Sequence, residues 1–72
     1  MTTNEKLEIF RKLYCLGLSD IEKVYEGNDH LKDHLCNKYM ASRDQYGFYG
    51  NFHFLFQLDE HNAKLLLERV GL

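Results

Sequence analysis

Between Tyr46 and Leu58 the chain runs Tyr-Gly-Phe-Tyr-Gly-Asn-Phe-His-Phe-Leu-Phe-Gln-Leu, seven aromatic or histidine rings around a Gly50-Asn51 pair. Any fold has to bury or display these rings. A Gly-Asn pair between two aromatic runs signals a two-residue β-hairpin, because glycine at the first central position supplies the positive φ that a type II′ turn needs. Phe52, Phe54, Phe56 and Leu58 also alternate strictly, which is the period of a strand. The local pattern therefore predicts a two-stranded antiparallel hairpin over about 44–57. Tyr49 then faces Phe52, Phe48 faces His53, Gly47 faces Phe54 and Tyr46 faces Leu55. One side of the hairpin carries Tyr49, Phe52, Phe54 and Phe56; the other carries Tyr46, Phe48, His53 and Leu55.

The flanking segments carry helix signals. Thr2-Thr3-Asn4-Glu5 fits a capping box, with the apolar positions Leu7, Ile9, Phe10, Leu13, Tyr14 and Leu16 following it. Gly17 then reads as a left-handed helix stop, with Leu18 folding back on the last turn. Ser19-Asp20-Ile21-Glu22 is a second capping box, opening a short helix that ends at Gly27. A third helix is predicted from about Asp29 to Ser42, capped by Asn28 or Asp29, with Leu31, Leu35 and Tyr39 on its inner face. Asp59 caps a final helix over about 59–70, which buries Ala63, Leu66, Leu67 and Val70. Three short N-terminal helices, a hairpin and a C-terminal helix make an α+β, mostly helical fold, and residues 1–72 form one small globular domain.

Composition narrows the function classes. Nine Lys and Arg against eleven Asp and Glu leave a formal charge of −2, a poor match to a phosphate backbone. No apolar run has the length of a signal peptide or a membrane span, so the expected location is cytoplasmic with no membrane contact. In a reducing compartment Cys15 and Cys36 read as small apolar side chains rather than as a disulfide framework. A chain of this size buries only about 60% of the surface that its unfolded form exposes, so association with a partner would add to its stability.

Several residues invite chemistry. His30 and His34 stand at the i,i+4 spacing of a metal pair, yet a zinc site wants a third and usually a fourth ligand, and the pattern supplies none. No metal and no cofactor are expected. His53, Asp59, Glu60 and His61 are acid–base residue types without a nucleophile motif or a phosphate loop, and Asp59 and Glu60 are accounted for as helix-start residues. The chain reads as a non-enzyme.

Two binding roles remain. The order of helices two and three followed by a hairpin resembles a winged-helix domain, which implies a DNA-binding transcriptional regulator using Lys32, His34, Lys38 and Arg43. The charge balance resists that alternative, since Lys32, Lys38 and Arg43 are offset by Asp29, Asp33 and Asp44 between residues 28 and 57. The favoured expectation is a small regulatory or adaptor protein, such as an inhibitor or modulator of the phage or mobile-element type. It would grip a larger protein partner with Tyr46, Phe48 and Leu55 of the hairpin and with Leu65 on the outer side of the last helix. A homodimer closed strand to strand along the hairpin edges is compatible with either role.

Overall fold

The computed structural model describes residues 1–72 and is built of helices alone. The α-helices are α1 (Thr3–Tyr14), α2 (Leu18–Val24), α3 (Asp29–Tyr46), α4 (Gly50–Phe56) and α5 (Glu60–Arg69), with a 3-10 turn at Gly47–Tyr49 between α3 and α4. No strand forms, so the α+β expectation and its hairpin over 44–57 are overturned. The winged-helix alternative loses its wing, and the edge-to-edge dimer loses its edges.

Local chemistry sets most of the helix ends. The Thr2 hydroxyl accepts from the Glu5 N–H at 3.1 Å, and the Glu5 carboxylate accepts from the Thr2 N–H, closing a capping box. Asn28 caps α3 by accepting from Leu31 N–H, and Asp59 caps α5 by accepting from Asn62 N–H at 2.8 Å. Gly27 and Gly71 follow α2 and α5 with φ of +88° and +86°, the left-handed conformation that favours glycine. One boundary moves. Gly17 is extended, at φ −128°, and serves as the N-cap of α2 rather than as the stop of α1. The Asp20 carboxylate reaches back to accept from Gly17 N–H at 2.9 Å, so the cap lies two residues before Ser19.

The predicted hairpin becomes a helix, a sharp turn and a second helix. α3 continues past Ser42 to Tyr46 and is stopped by Gly47, whose φ of +53° and ψ of −116° would strain any other residue. α4 then doubles back on α3. Gly50 has ordinary helical angles, φ −61° and ψ −33°, and makes no turn. Its value is closeness: a Cβ placed there would lie 2.8 Å from both the Arg43 Cα and the Ser42 carbonyl oxygen. The next residue, Asn51, is buried, and its side-chain amide donates to the Leu13 and Leu16 carbonyls at 2.7 and 3.0 Å. Those carbonyls belong to the end of α1 and the residues just after it, where helix acceptors run out of intrahelical partners. The Gly-Asn pair thus packs α4 on α3 and ties it to α1.

Leu16, Ile21, Tyr25, Leu35, Tyr39, Phe54 and Leu66 form the closed core, to which each of α2, α3, α4 and α5 contributes. Tyr39 meets Phe54 edge to face, with ring centroids 5.5 Å apart, and its hydroxyl donates to the Leu16 carbonyl at 3.1 Å. α5 is fastened to α2 by the bond from the Tyr25 hydroxyl to Asn62 Oδ1 and by the Arg69–Asp20 ion pair at 3.1 Å. α1 packs on α4 through its C-terminal half, while every residue up to Glu8 is exposed.

Candidate aromatic interface

Where α1 meets the 3-10 turn and α4, rings gather at the surface. Phe10 lies 4.9 Å from Tyr14, 5.8 Å from Phe48 and 5.3 Å from Phe52, measured between ring centroids. Tyr14 and Phe48 are 4.3 Å apart, and Phe48 meets Tyr49 edge to face at 5.3 Å. The tilted geometries suit the ring quadrupoles. The Tyr14 hydroxyl donates to the Phe48 carbonyl at 2.9 Å, holding the 3-10 turn against α1. Desolvation by these neighbours holds the Tyr14 phenol above its ordinary pKa, and Tyr49 adds to the shift.

The cluster is open to solvent on its outer side. Phe48 is 58% exposed, Tyr49 61% and Phe56 88%. Tyr49, at the end of the 3-10 turn, and Phe52 and Phe56 on α4 fall at i, i+3 and i+7, one stripe pointing away from the core. Tyr46 continues the surface at the far edge of α4, 44% exposed, with its ring 4.1 Å from that of His53. His53 is held in turn by the buried Ser42, whose Oγ lies 3.0 Å from its Nδ1, and by the Gln57 amide. At the α1 edge a concavity of about 480 Å³ opens between Phe10, Tyr14 and Phe48, rimmed by Glu8, Arg11 and Lys12.

The residues picked from the sequence for protein binding divide here. Tyr46 and Phe48 lie on the open aromatic surface. Leu55 packs half-buried against the core, and Leu65 is half-buried on α5, the helix that packs on α2. The hairpin pattern leaves Tyr49, Phe52 and Phe56 out of the binding face, and Phe10 and Tyr14 read from the sequence only as part of the apolar stripe of the first helix. For Phe52 and Phe56 a helical count supplies the signal: Asn51, Phe54, Leu55 and Leu58 recur at i, i+3, i+4 and i+7 as the inner face and leave those two rings outside.

The residues considered for DNA form no basic face. Lys32 pairs with Asp29 at 3.4 Å, which raises its pKa through a hydrogen bond and charge attraction. His34 is exposed and Lys38 half-buried. Arg43 is exposed and folds back along α3 over the Tyr39 ring, donating to the Tyr39 hydroxyl at 3.0 Å. His30 is exposed near His34, and no three His, Cys, Asp or Glu side chains gather as a metal ion would require. No helix is long and apolar enough to cross a membrane.

The architecture and its surface define a small all-helical protein with an open aromatic face. No protein-family model matches the chain, and no curated protein or solved structure matches it.

Proposed function

We propose that this chain is a small non-enzymatic regulator or adaptor that works by docking its aromatic surface on another polypeptide. The observation that carries the proposal is the run of rings from Phe10 and Tyr14 through Phe48 and Tyr49 to Phe56, in contact with one another or in register on one helix, and open to water. Monomeric proteins seldom expose contiguous apolar patches beyond a few hundred Å². Rigid aromatic side chains are also the residues most often found as energetic anchors at interfaces, since they bury large areas at low entropic cost.

The test uses Phe56→Asp and Phe48→Asp in a tagged capture from lysate of the source organism, with nuclease present. The wild-type chain is expected to retain a protein that both variants lose while their circular dichroism spectra stay helical. Equal retention by wild type and variants overturns the proposal.

A further inference from the structure

Charge distinguishes the kinds of polypeptide that fit this surface. From Gln45 to Leu58 the chain contains no Asp, Glu, Lys or Arg, so α4 and the 3-10 turn carry no fixed charge of their own. The Arg43 guanidinium of α3 is a charge that Tyr14 feels from beside them. At the α1 edge both signs occur together, Glu8 beside Arg11 and Lys12, with Glu8 and Lys12 already paired at 3.8 Å. Transient interfaces between different proteins are about as polar as the rest of the surface and use complementary charge to steer encounter. Homodimer interfaces are more apolar and exclude charge from their centre. A ring surface that carries so little charge of its own is also compatible with a second copy, since a two-fold rotation sets ring against ring.

The area agrees. At about 200 Å² for a whole aromatic side chain, the open fractions of Tyr46, Phe48, Tyr49 and Phe56 leave about 500 Å² of ring surface in water. Leu7, with the uncovered edges of Phe10, Tyr14 and Phe52, brings this to about 700 Å² per copy. Two copies face to face would bury at most roughly 1,400 Å², a ceiling that reaches the 1,200–2,000 Å² range of stable interfaces. The chain gains from such closure, because only 11 of its 72 residues are buried and small domains commonly rely on oligomerisation for stability.

Building on the docking role above, we infer that the polypeptide covering the aromatic surface is a second copy of this chain, in a two-fold dimer centred on α4 and the 3-10 turn.

Sedimentation equilibrium of the full chain between about 1 µM and about 1 mM tests this, because a homodimer populates with concentration. The wild type is expected to pass from its chain mass of 8.6 kDa to twice that value. Phe56→Asp is expected to raise the dissociation constant at least about 30-fold, since a two-fold interface loses the ring on both sides. Phe56 is 88% exposed, so this variant keeps its fold even where Phe48→Asp does not. Lys64→Glu, on α5, should leave the dissociation constant unchanged. A wild-type chain that stays at 8.6 kDa throughout, or a dimer indifferent to Phe56→Asp, overturns the inference. If that monomer still captures a protein that Phe56→Asp loses, the docking role stands and only the identity of the partner falls. If no such protein is captured either, both fall.

Discussion

Phe54 and Phe56 are the same residue type, two positions apart on one helix, and they meet opposite fates. Phe54 has no exposure and sits edge-on to Tyr39 within the core, whereas Phe56 is 88% exposed. In a strand they would share a face; in a helix two positions are separated by about 200°. The contrast extends to their surroundings. Around Phe54 the contributions of α2, α3, α4 and α5 close on one another, while the rings around Phe10 and Phe48 are bordered by α1, the 3-10 turn and α4 and stay open on their outer side. Hydrophobicity alone does not bury a ring. Burial needs a neighbour on every side, and this short chain has enough helix to surround one face of α4 only.

The comparison breaks most visibly at Phe54. Phe54→Ala should cost about 3–5 kcal/mol, because it removes a large ring from a site whose walls relax only in part. The check is a urea-denaturation midpoint, and a loss below about 1 kcal/mol would mean that the core is not closed there.

Gly50→Ala follows. Helix propensity alone would make it favourable by about 1 kcal/mol. The Cβ would nevertheless fall 2.8 Å from the Arg43 Cα, a backbone neighbour that cannot swing aside. A net loss of about 1–3 kcal/mol is expected as α4 is pushed off α3. A stabilised variant would show that the two helices are not in close contact.

Asn51→Ala removes the donor that reaches the Leu13 and Leu16 carbonyls. Both acceptors keep another partner, Leu13 in the Leu16 N–H and Leu16 in the Tyr39 hydroxyl, so the loss should be about 1–2 kcal/mol. Hydrogen exchange at the end of α1 should report it before the global unfolding curve does.

A smaller effect is expected at high pH. Tyr14 and Tyr25 both have phenol pKa values raised above 10.0, each chiefly by desolvation, with Tyr49 adding at Tyr14 and the Asp59 carboxylate at Tyr25. The native state holds these protons where the unfolded chain releases them. The contribution to stability is therefore complete below about pH 10 and is lost as pH rises through the raised native values. Denaturation midpoints measured from neutral to alkaline pH should be flat and then fall, and Tyr14→Phe with Tyr25→Phe should flatten the fall. Least affected of all is Phe56→Ala, which should change stability by no more than about 0.5 kcal/mol in dilute solution, on the same unfolding assay that reports Phe54→Ala.

The helix ends set by side chains within three residues were legible from the sequence: Thr2 with Glu5, Asp59 with Asn62, the glycine stops at 27 and 71, and a cap for α3 at Asn28 or Asp29, of which Asn28 is the one used. These depend on bonds between near neighbours in the chain, so the chain order contains them. The candidate surface was only half legible. The hairpin pattern selects Tyr46 and Phe48, which are exposed, but sets Tyr49, Phe52 and Phe56 on the opposite side of the hairpin together with Phe54. Between 50 and 58 the same residues satisfy a period of two through Phe52, Phe54 and Phe56, and a period of 3.6 through Asn51, Phe54, Leu55 and Leu58.

What the sequence by itself determined is the set of local stops and caps, together with an excess of rings too large for a chain of 72 residues to hide. Tertiary structure decided between the two periods. Gly50 reads locally as a turn, but its worth comes from the backbone of α3 lying against it. Asn51 reads locally as a turn partner, but its amide is used by carbonyls more than thirty positions earlier in the chain. Those carbonyls at the end of α1, and the space that α3 leaves beside Ser42, are made only when the helices come together. Contacts so distant in sequence leave no mark on the residues next to Gly50 and Asn51, so only the assembled fold favours helix over hairpin there.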